Sequence, residues 1–139
     1  MKALPTETIV KTALLAALLA LTLGCGYTSK NSAPVAGTVP VITQLSPDNR
    51  AAGSAGFTMT VNGSNFGTKA VVNWNSTAQT SGTTYVSGNQ LMVAIPASLV
   101  MSAGTVHVTV TNPGTPGTGM YGSGGALAET SAPVSFTIN

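Results

Sequence analysis

The chain contains one long apolar run, and beyond it the apolar residues come singly and at regular intervals. Residues 12–23 read Thr-Ala-Leu-Leu-Ala-Ala-Leu-Leu-Ala-Leu-Thr-Leu with no charge. From residue 40 onward the pattern switches to a period of two. Phe57-Thr-Met-Thr-Val-Asn-Gly63 puts Phe57, Met59 and Val61 on one face and Thr58, Thr60 and Asn62 on the other, which predicts a half-buried strand. The stretch from Gly104 to Asn112 does the same, with Val106, Val108 and Val110 inward and His107 outward. Leu91, Val93 and Ile95 share a face, as do Val134, Phe136 and Ile138, and as do Ala70, Val72 and Trp74. Thr83-Thr-Tyr-Val86 and Pro40-Val-Ile-Thr-Gln-Leu-Ser-Pro47 complete the set. The last is read as an edge strand, because prolines are tolerated there. Residues 96–104 offer the one place for a helical turn, opened by Pro96 and closed by Gly104.

Seven short strands separated by turn signals predict an all-β, two-sheet sandwich of immunoglobulin-like type following an N-terminal signal helix. Its predicted core is Ile42, Leu45, Phe57, Met59, Val61, Phe66, Val72, Trp74, Leu91, Val93, Ile95, Val106, Val108, Val110, Phe136 and Ile138. A burial of this size suits one domain and asks for no disulfide. The domain is expected over residues 40–139. A small, polar stretch over 25–39, punctuated by Pro34 and Gly37, is expected to be a flexible tether.

The apolar run reads differently from the strands. Lys2 and Lys11 precede it, and Gly24-Cys25 follows it. A basic start, a short apolar core and a small residue before a cut define a secretory signal over residues 1–24. As a helix the run reaches only ~18 Å, short of the ~30 Å hydrocarbon layer. The sequence Leu21-Thr-Leu-Gly-Cys25 resembles a lipobox, at which bacterial lipoproteins are acylated on cysteine and cut before it, although Thr22 stands where the motif usually has Leu. The resemblance implies a mature chain beginning at a lipidated Cys25, bearing fatty acyl groups such as palmitate. Such a chain is anchored to a bacterial membrane at the cell envelope, with the outer membrane or cell surface expected. If Cys25 is not acylated, the domain is secreted. Cys25 is the only cysteine, so no internal disulfide forms.

Composition narrows the chemistry. Only 6% of the 139 residues are charged, and from Cys25 onward Lys30, Arg50 and Lys69 face Asp48 and Glu129. So balanced a mature chain is not built to attract nucleic acid, and the isoelectric point near 8.9 rests on a handful of groups. The single His107 has no companion ligands in sequence, so no metal site and no cofactor are expected. Asp48 and Glu129 lack any motif of a glycosidase pair, and no nucleophile elbow or phosphate loop is present.

Taken in order, several landmarks resemble the IPT/TIG family of immunoglobulin-like domains over residues 40–139. They are Pro40-Val-Ile-Thr-Gln-Leu-Ser-Pro47, Val61-Asn-Gly-Ser-Asn-Phe66, Val72-Asn-Trp-Asn75, Gln90-Leu-Met-Val-Ala-Ile-Pro96 and Val110-Thr-Asn-Pro113. The resemblance implies the fold strongly and an activity hardly at all. It implies a non-catalytic binding or structural module, with another protein or a polysaccharide as partner besides the membrane. An accessory role in surface polysaccharide uptake or degradation is the alternative. The connection 114–132 is longer than the family's usual link, and such loops on a rigid sandwich often carry binding residues. Met120 and Tyr121 on it, with Tyr85, are the candidate ligand-binding residues; the other reading of this loop is a Gly-rich insertion with no partner. Trp74 is expected in the core and not as a sugar platform.

Overall fold

The computed structural model describes residues 33–118 and 124–139. The signal segment, Cys25, Met120 and Tyr121 lie outside them. Ten strands follow in chain order: β1 (Val41–Ser46), β2 (Asn49–Arg50), β3 (Phe57–Ser64), β4 (Val71–Trp74), β5 (Thr77–Ala78), β6 (Thr83–Ser87), β7 (Gln90–Ile95), β8 (Gly104–Asn112), β9 (Glu129–Thr130) and β10 (Val134–Ile138). They form two sheets. One runs β1-β3-β7-β6, and the other runs β2-β10-β8-β4-β5 with β9 also paired to β8. This is the expected all-β, immunoglobulin-like sandwich. The seven predicted strands are present, and the three additions are each two residues long.

Period-two patterning explains the sheets, and its interruptions have local causes. Ile42 and Leu45 are both buried although three residues apart. A bulge between Ile42 and Gln44 makes this possible, because an extra residue resets which face points inward. Thr43 sits in that bulge and donates its hydroxyl to the Asn62 carbonyl at 3.2 Å. Between β4 and β5, Asn75 and Ser76 both take positive φ, +46° and +67°, the backbone of a two-residue hairpin turn matching strand twist. The Asn75 side chain then accepts the His107 N–H at 2.9 Å and its own N–H reaches the His107 carbonyl, which carries the β4–β8 ladder one step further.

The last strand is not a sheet edge. β10 pairs antiparallel with β8 and, on its other side, parallel with β2. No periodicity marks Asn49–Arg50, so the sequence pattern gives no hint of this cover. The remaining long edges are β1, bounded by Pro40 and Pro47, and β6.

Every predicted core residue is buried except Phe57, which is half-buried, and Val100 joins from the single 3-10 turn Ala97–Val100. The centre is aromatic. Phe136 lies between Phe57, stacked at 5.7 Å, and Trp74, tilted at 5.0 Å. Arg50 lies over the Phe57 ring, 4.8 Å from its centroid. β2 therefore does two jobs, pairing with the last strand and capping the aromatic column. Phe136 is fully buried, so Phe136→Ala removes the middle ring of the column and is expected to cost about 3–5 kcal/mol of stability. Urea unfolding followed by Trp74 fluorescence measures this directly.

Candidate binding surface

The two ends of the sandwich are closed by different means. At the far end, side chains fill the space: Arg50, Phe57, Leu99, Val100 and Ile138. At the other end, where the chain enters from residues 33–39, backbone segments converge and one side chain holds them. Asn112, the last residue of β8, accepts the Gly67 N–H at 2.8 Å on Oδ1. Its Nδ2 donates to the Thr38 carbonyl at 2.9 Å and the Asn65 carbonyl at 2.7 Å. A carboxamide offers two donors and one acceptor oxygen, and here each kind is used on a different strand connection. Asn65 itself sits at φ +62°, a left-handed conformation that Asn tolerates better than most residues. It also donates to the Val39 carbonyl at 3.3 Å. Gly63 completes the closure, because a side chain there would strike the Val41 carbonyl and come within 2.6 Å of the Phe66 ring.

Part of the stretch expected to be a free tether is bound to the domain. Val35 donates its N–H to the Gly125 carbonyl at 2.9 Å and accepts the Leu127 N–H at 3.0 Å. The opposite side of the same segment pairs with Thr115, whose N–H reaches the Ala126 carbonyl at 2.9 Å and whose hydroxyl accepts the Ala126 N–H at 3.1 Å. Residues 35, 115 and 126 thus form three adjacent rows of backbone. Gly125 is demanded here by close approach, since a Cβ would press on the Thr115 carbonyl and lie 2.7 Å from the Gly117 nitrogen. The long connection is held at its base as well. β9 pairs Thr130 with Thr111 and Glu129 with Asn112, and Ser131 stands in for a ladder carbonyl by accepting the Val110 N–H on its hydroxyl at 3.0 Å. Its glycines serve backbone packing at these points.

Between this strap and the 65–69 turn lies a cleft of about 530 Å³, lined among others by Thr38, Phe66, Lys69, Asn112, Pro116 and Leu127. It is more apolar than polar. A second hollow, of about 650 Å³ and mixed lining, lies at the far end, by Phe57, Gln79, Gly82 and Pro96.

The predicted site residues do not form one described cluster. Tyr85 is on β6 opposite Leu91 and is 38% exposed. It is the one exposed aromatic among the described residues. Met120, Tyr121 and Cys25 lie outside the described residues, so Tyr85 stands without its expected companions. Trp74 is 3% exposed and packed on Phe136, as a core residue. Asp48 and Glu129 are far apart. The Asp48 carbonyl accepts from Thr137, which pairs with Thr105 at one end of β8, while Glu129 pairs with Asn112 at the other. Seven residues of strand at ~3.4 Å each separate them by about 24 Å, beyond the ~5–10 Å of a glycosidase pair. Among the described residues no three of His, Cys, Asp and Glu come together as a metal would require. Sequence reasoning missed the Asn112 clamp and the Val35 strap. The Val-Thr-Asn-Pro motif marked the first without revealing its role.

An immunoglobulin-like sandwich with one end drawn shut by backbone and amide groups defines a binding or structural module. The chain belongs to the IPT/TIG domain family, whose model matches residues 40–137. Members of the family are non-catalytic immunoglobulin-like domains that commonly mediate interactions. Searches of curated proteins and of solved structures gave no match.

Two substitutions test the closure. Asn112→Ala leaves the Gly67 N–H and the Thr38 and Asn65 carbonyls without their partner, and the expected loss is about 2–3 kcal/mol in urea unfolding. Asn112→Asp keeps the acceptor but sets a carboxylate against two carbonyls, so it is expected to destabilise as well. Gly125→Ala acts locally: amide exchange at Thr115 and Leu127 is expected to accelerate while β8 stays protected.

Proposed function

We propose that this chain is a lipid-anchored, non-catalytic module that displays its immunoglobulin-like sandwich at the bacterial cell envelope. The observation that carries the reading is the order of parts along the chain. A lipobox-like Leu21-Thr-Leu-Gly-Cys25 stands only fifteen residues ahead of a family match that begins at residue 40. The lone thiol lies outside the domain, whose core is complete without it. Acylation gives that thiol a purpose, since each buried methylene contributes about 0.8 kcal/mol of membrane affinity. The domain's buried or half-buried polar groups support a non-catalytic role. Asn73 donates to Thr109 and Thr111 at 3.0 and 2.9 Å. Thr83 bridges Val72 and Gln79, and Asn112 clamps the tether end. Each holds backbone or neighbouring strands together and faces no cluster of titratable groups.

Expression of the full chain in a bacterial host tests the anchor. Intact mass is expected to show a mature chain beginning at Cys25 and carrying acyl groups, found in the membrane fraction. Cys25→Ser is expected to move the protein out of that fraction. An unmodified Cys25 in a soluble wild-type chain overturns the anchoring.

A polysaccharide-binding accessory role rests on Tyr85, the exposed aromatic on β6. Affinity electrophoresis through polysaccharide gels separates the two readings. Equal mobility of wild type and Tyr85→Ala is expected for the leading one, and retardation that Tyr85→Ala abolishes favours the accessory role.

A further inference from the structure

We infer that the end of the sandwich closed by Asn112 lies directly against the bilayer that holds Cys25, with Val35, Val39, Val41 and Leu127 in its interfacial layer. The inference rests on the lipid anchor proposed above and goes beyond it, because an anchored domain on a loose stalk need not touch the membrane at all.

Chain length sets the first limit. Seven residues lie between Cys25 and Ala33, and the eight steps of chain, at ~3.3–3.6 Å each, span at most about 29 Å. Two residues further on, Val35 is already hydrogen-bonded to Gly125 and Leu127. The strap therefore shortens by four residues the reach that a tether running to residue 39 would have, and the tether leaves the domain at the end closed by Asn112.

The distribution of exposed apolar side chains makes the same choice. In the strand that enters the sandwich, Pro40 and Ile42 are buried, and the alternation turns Val39 and Val41 outward. Val35 is 64% exposed and Leu127 52%. All four belong to the strap, the segment it pairs with, or the start of β1. Val86 lies beside the Gly88 turn, which is bonded to the same end through Phe66. Lys69, on the cleft at this end, supplies a cation of the kind that anionic headgroups attract, and Glu129 on β9 is the carboxylate nearby. The opposite end presents Asp48, Arg50 and one large exposed apolar side chain, Met101. Apolar side chains that enter an interface ~5–10 Å deep add binding without needing a transmembrane segment. Val35, Val39 and Leu127 are placed to do so once Cys25 is anchored.

The test uses the full acylated chain. Acylation consumes the Cys25 thiol, so Val35→Cys, Leu127→Cys and Met101→Cys each introduce one reactive thiol for an environment-sensitive fluorophore. Val39→Cys repeats the measurement at an exposed side chain outside the strap's pairing. Each labelled protein is reconstituted into phosphatidylethanolamine and phosphatidylglycerol vesicles carrying nitroxide-labelled lipid. Fluorophores at 35, 39 and 127 are expected to lose most of their emission, while that at 101 keeps it. If the chain floats with the vesicles but positions 35, 39 and 127 stay as bright as 101, the inference is overturned while the anchor stands, and that end is free for a protein or a second copy. Equal quenching at 101 also overturns it. A chain that fails to float removes the anchor and the inference together.

Discussion

The carboxamide of Asn112 joins three separate parts of the chain at one point. It reaches the entering strand at Thr38, the turn after β3 at Asn65 and Gly67, and the end of β8 from which it projects. A hydrophobic side chain at this place could fill volume but could not satisfy two carbonyls and an N–H at once. Against competing water each such bond contributes about 0.5–1.5 kcal/mol net, the part-buried one to Gly67 being the best shielded. The clamp also brings the strap over the long connection, because fixing Thr38 positions Val35 three residues earlier to pair with Gly125 and Leu127. The cleft and the strap both depend on this one hydrogen-bonding centre.

Closing an end with backbone has a consequence for the side chains there. Where peptide groups meet at close range, as at Gly63 against Val41 and Gly125 against Thr115, no room remains for inward-pointing side chains. Pro40 and Phe66 still turn inward from the converging segments, but Val35, Val39, Val41 and Leu127 there point outward. The far end is built in the opposite way. Arg50 over Phe57, and Leu99 and Val100 from the 3-10 turn, fill it from within. The chemical difference between the two ends therefore comes from the way each is closed.

The period-two stretches were legible from sequence because each longer strand buries one face, and burial imposes the alternation. Met59 and Val61, Val106 to Val110, and Leu91 to Ile95 stand where the pattern puts them. Even Ile42 and Leu45, which break the period, were identified as core by their hydrophobicity, and the bulge at Thr43 explains how both turn inward. The two-residue strands were not legible. Asn49–Arg50, Thr77–Ala78 and Glu129–Thr130 bury little, so nothing selects their side chains, and they exist because longer neighbours offer unpaired backbone. The strap was hidden for a related reason. Its pairing depends on main-chain groups of Val35 and on the absence of side chains at Gly125, and the same glycines suggest mobility when read in sequence. Of the candidate site, the burial of Trp74 followed from strand register, whereas the role of Asn112 depends on three segments meeting in space.

The domain achieves this with very few charges. Across the six-stranded sheet, Asn73 links Thr109 to Thr111, and Thr111 shares a hydrogen bond with Thr130 at 2.8 Å. On the other sheet Gln90 donates to Asn62 at 3.0 Å. These amide and hydroxyl ladders run across strands, where cross-strand pairs contribute roughly 0.2–1 kcal/mol each. Unlike surface ion pairs, they lose little to salt screening. A neutral surface has a known drawback, since low net charge gives free molecules little repulsion against association. The anchor proposed above would change that balance, because two copies tethered by one terminus would meet only in the orientations that their straps permit. The backbone pairing of Val35 narrows those orientations further, so a hydroxyl-rich, nearly uncharged sandwich fits the proposed anchor better than it fits free diffusion.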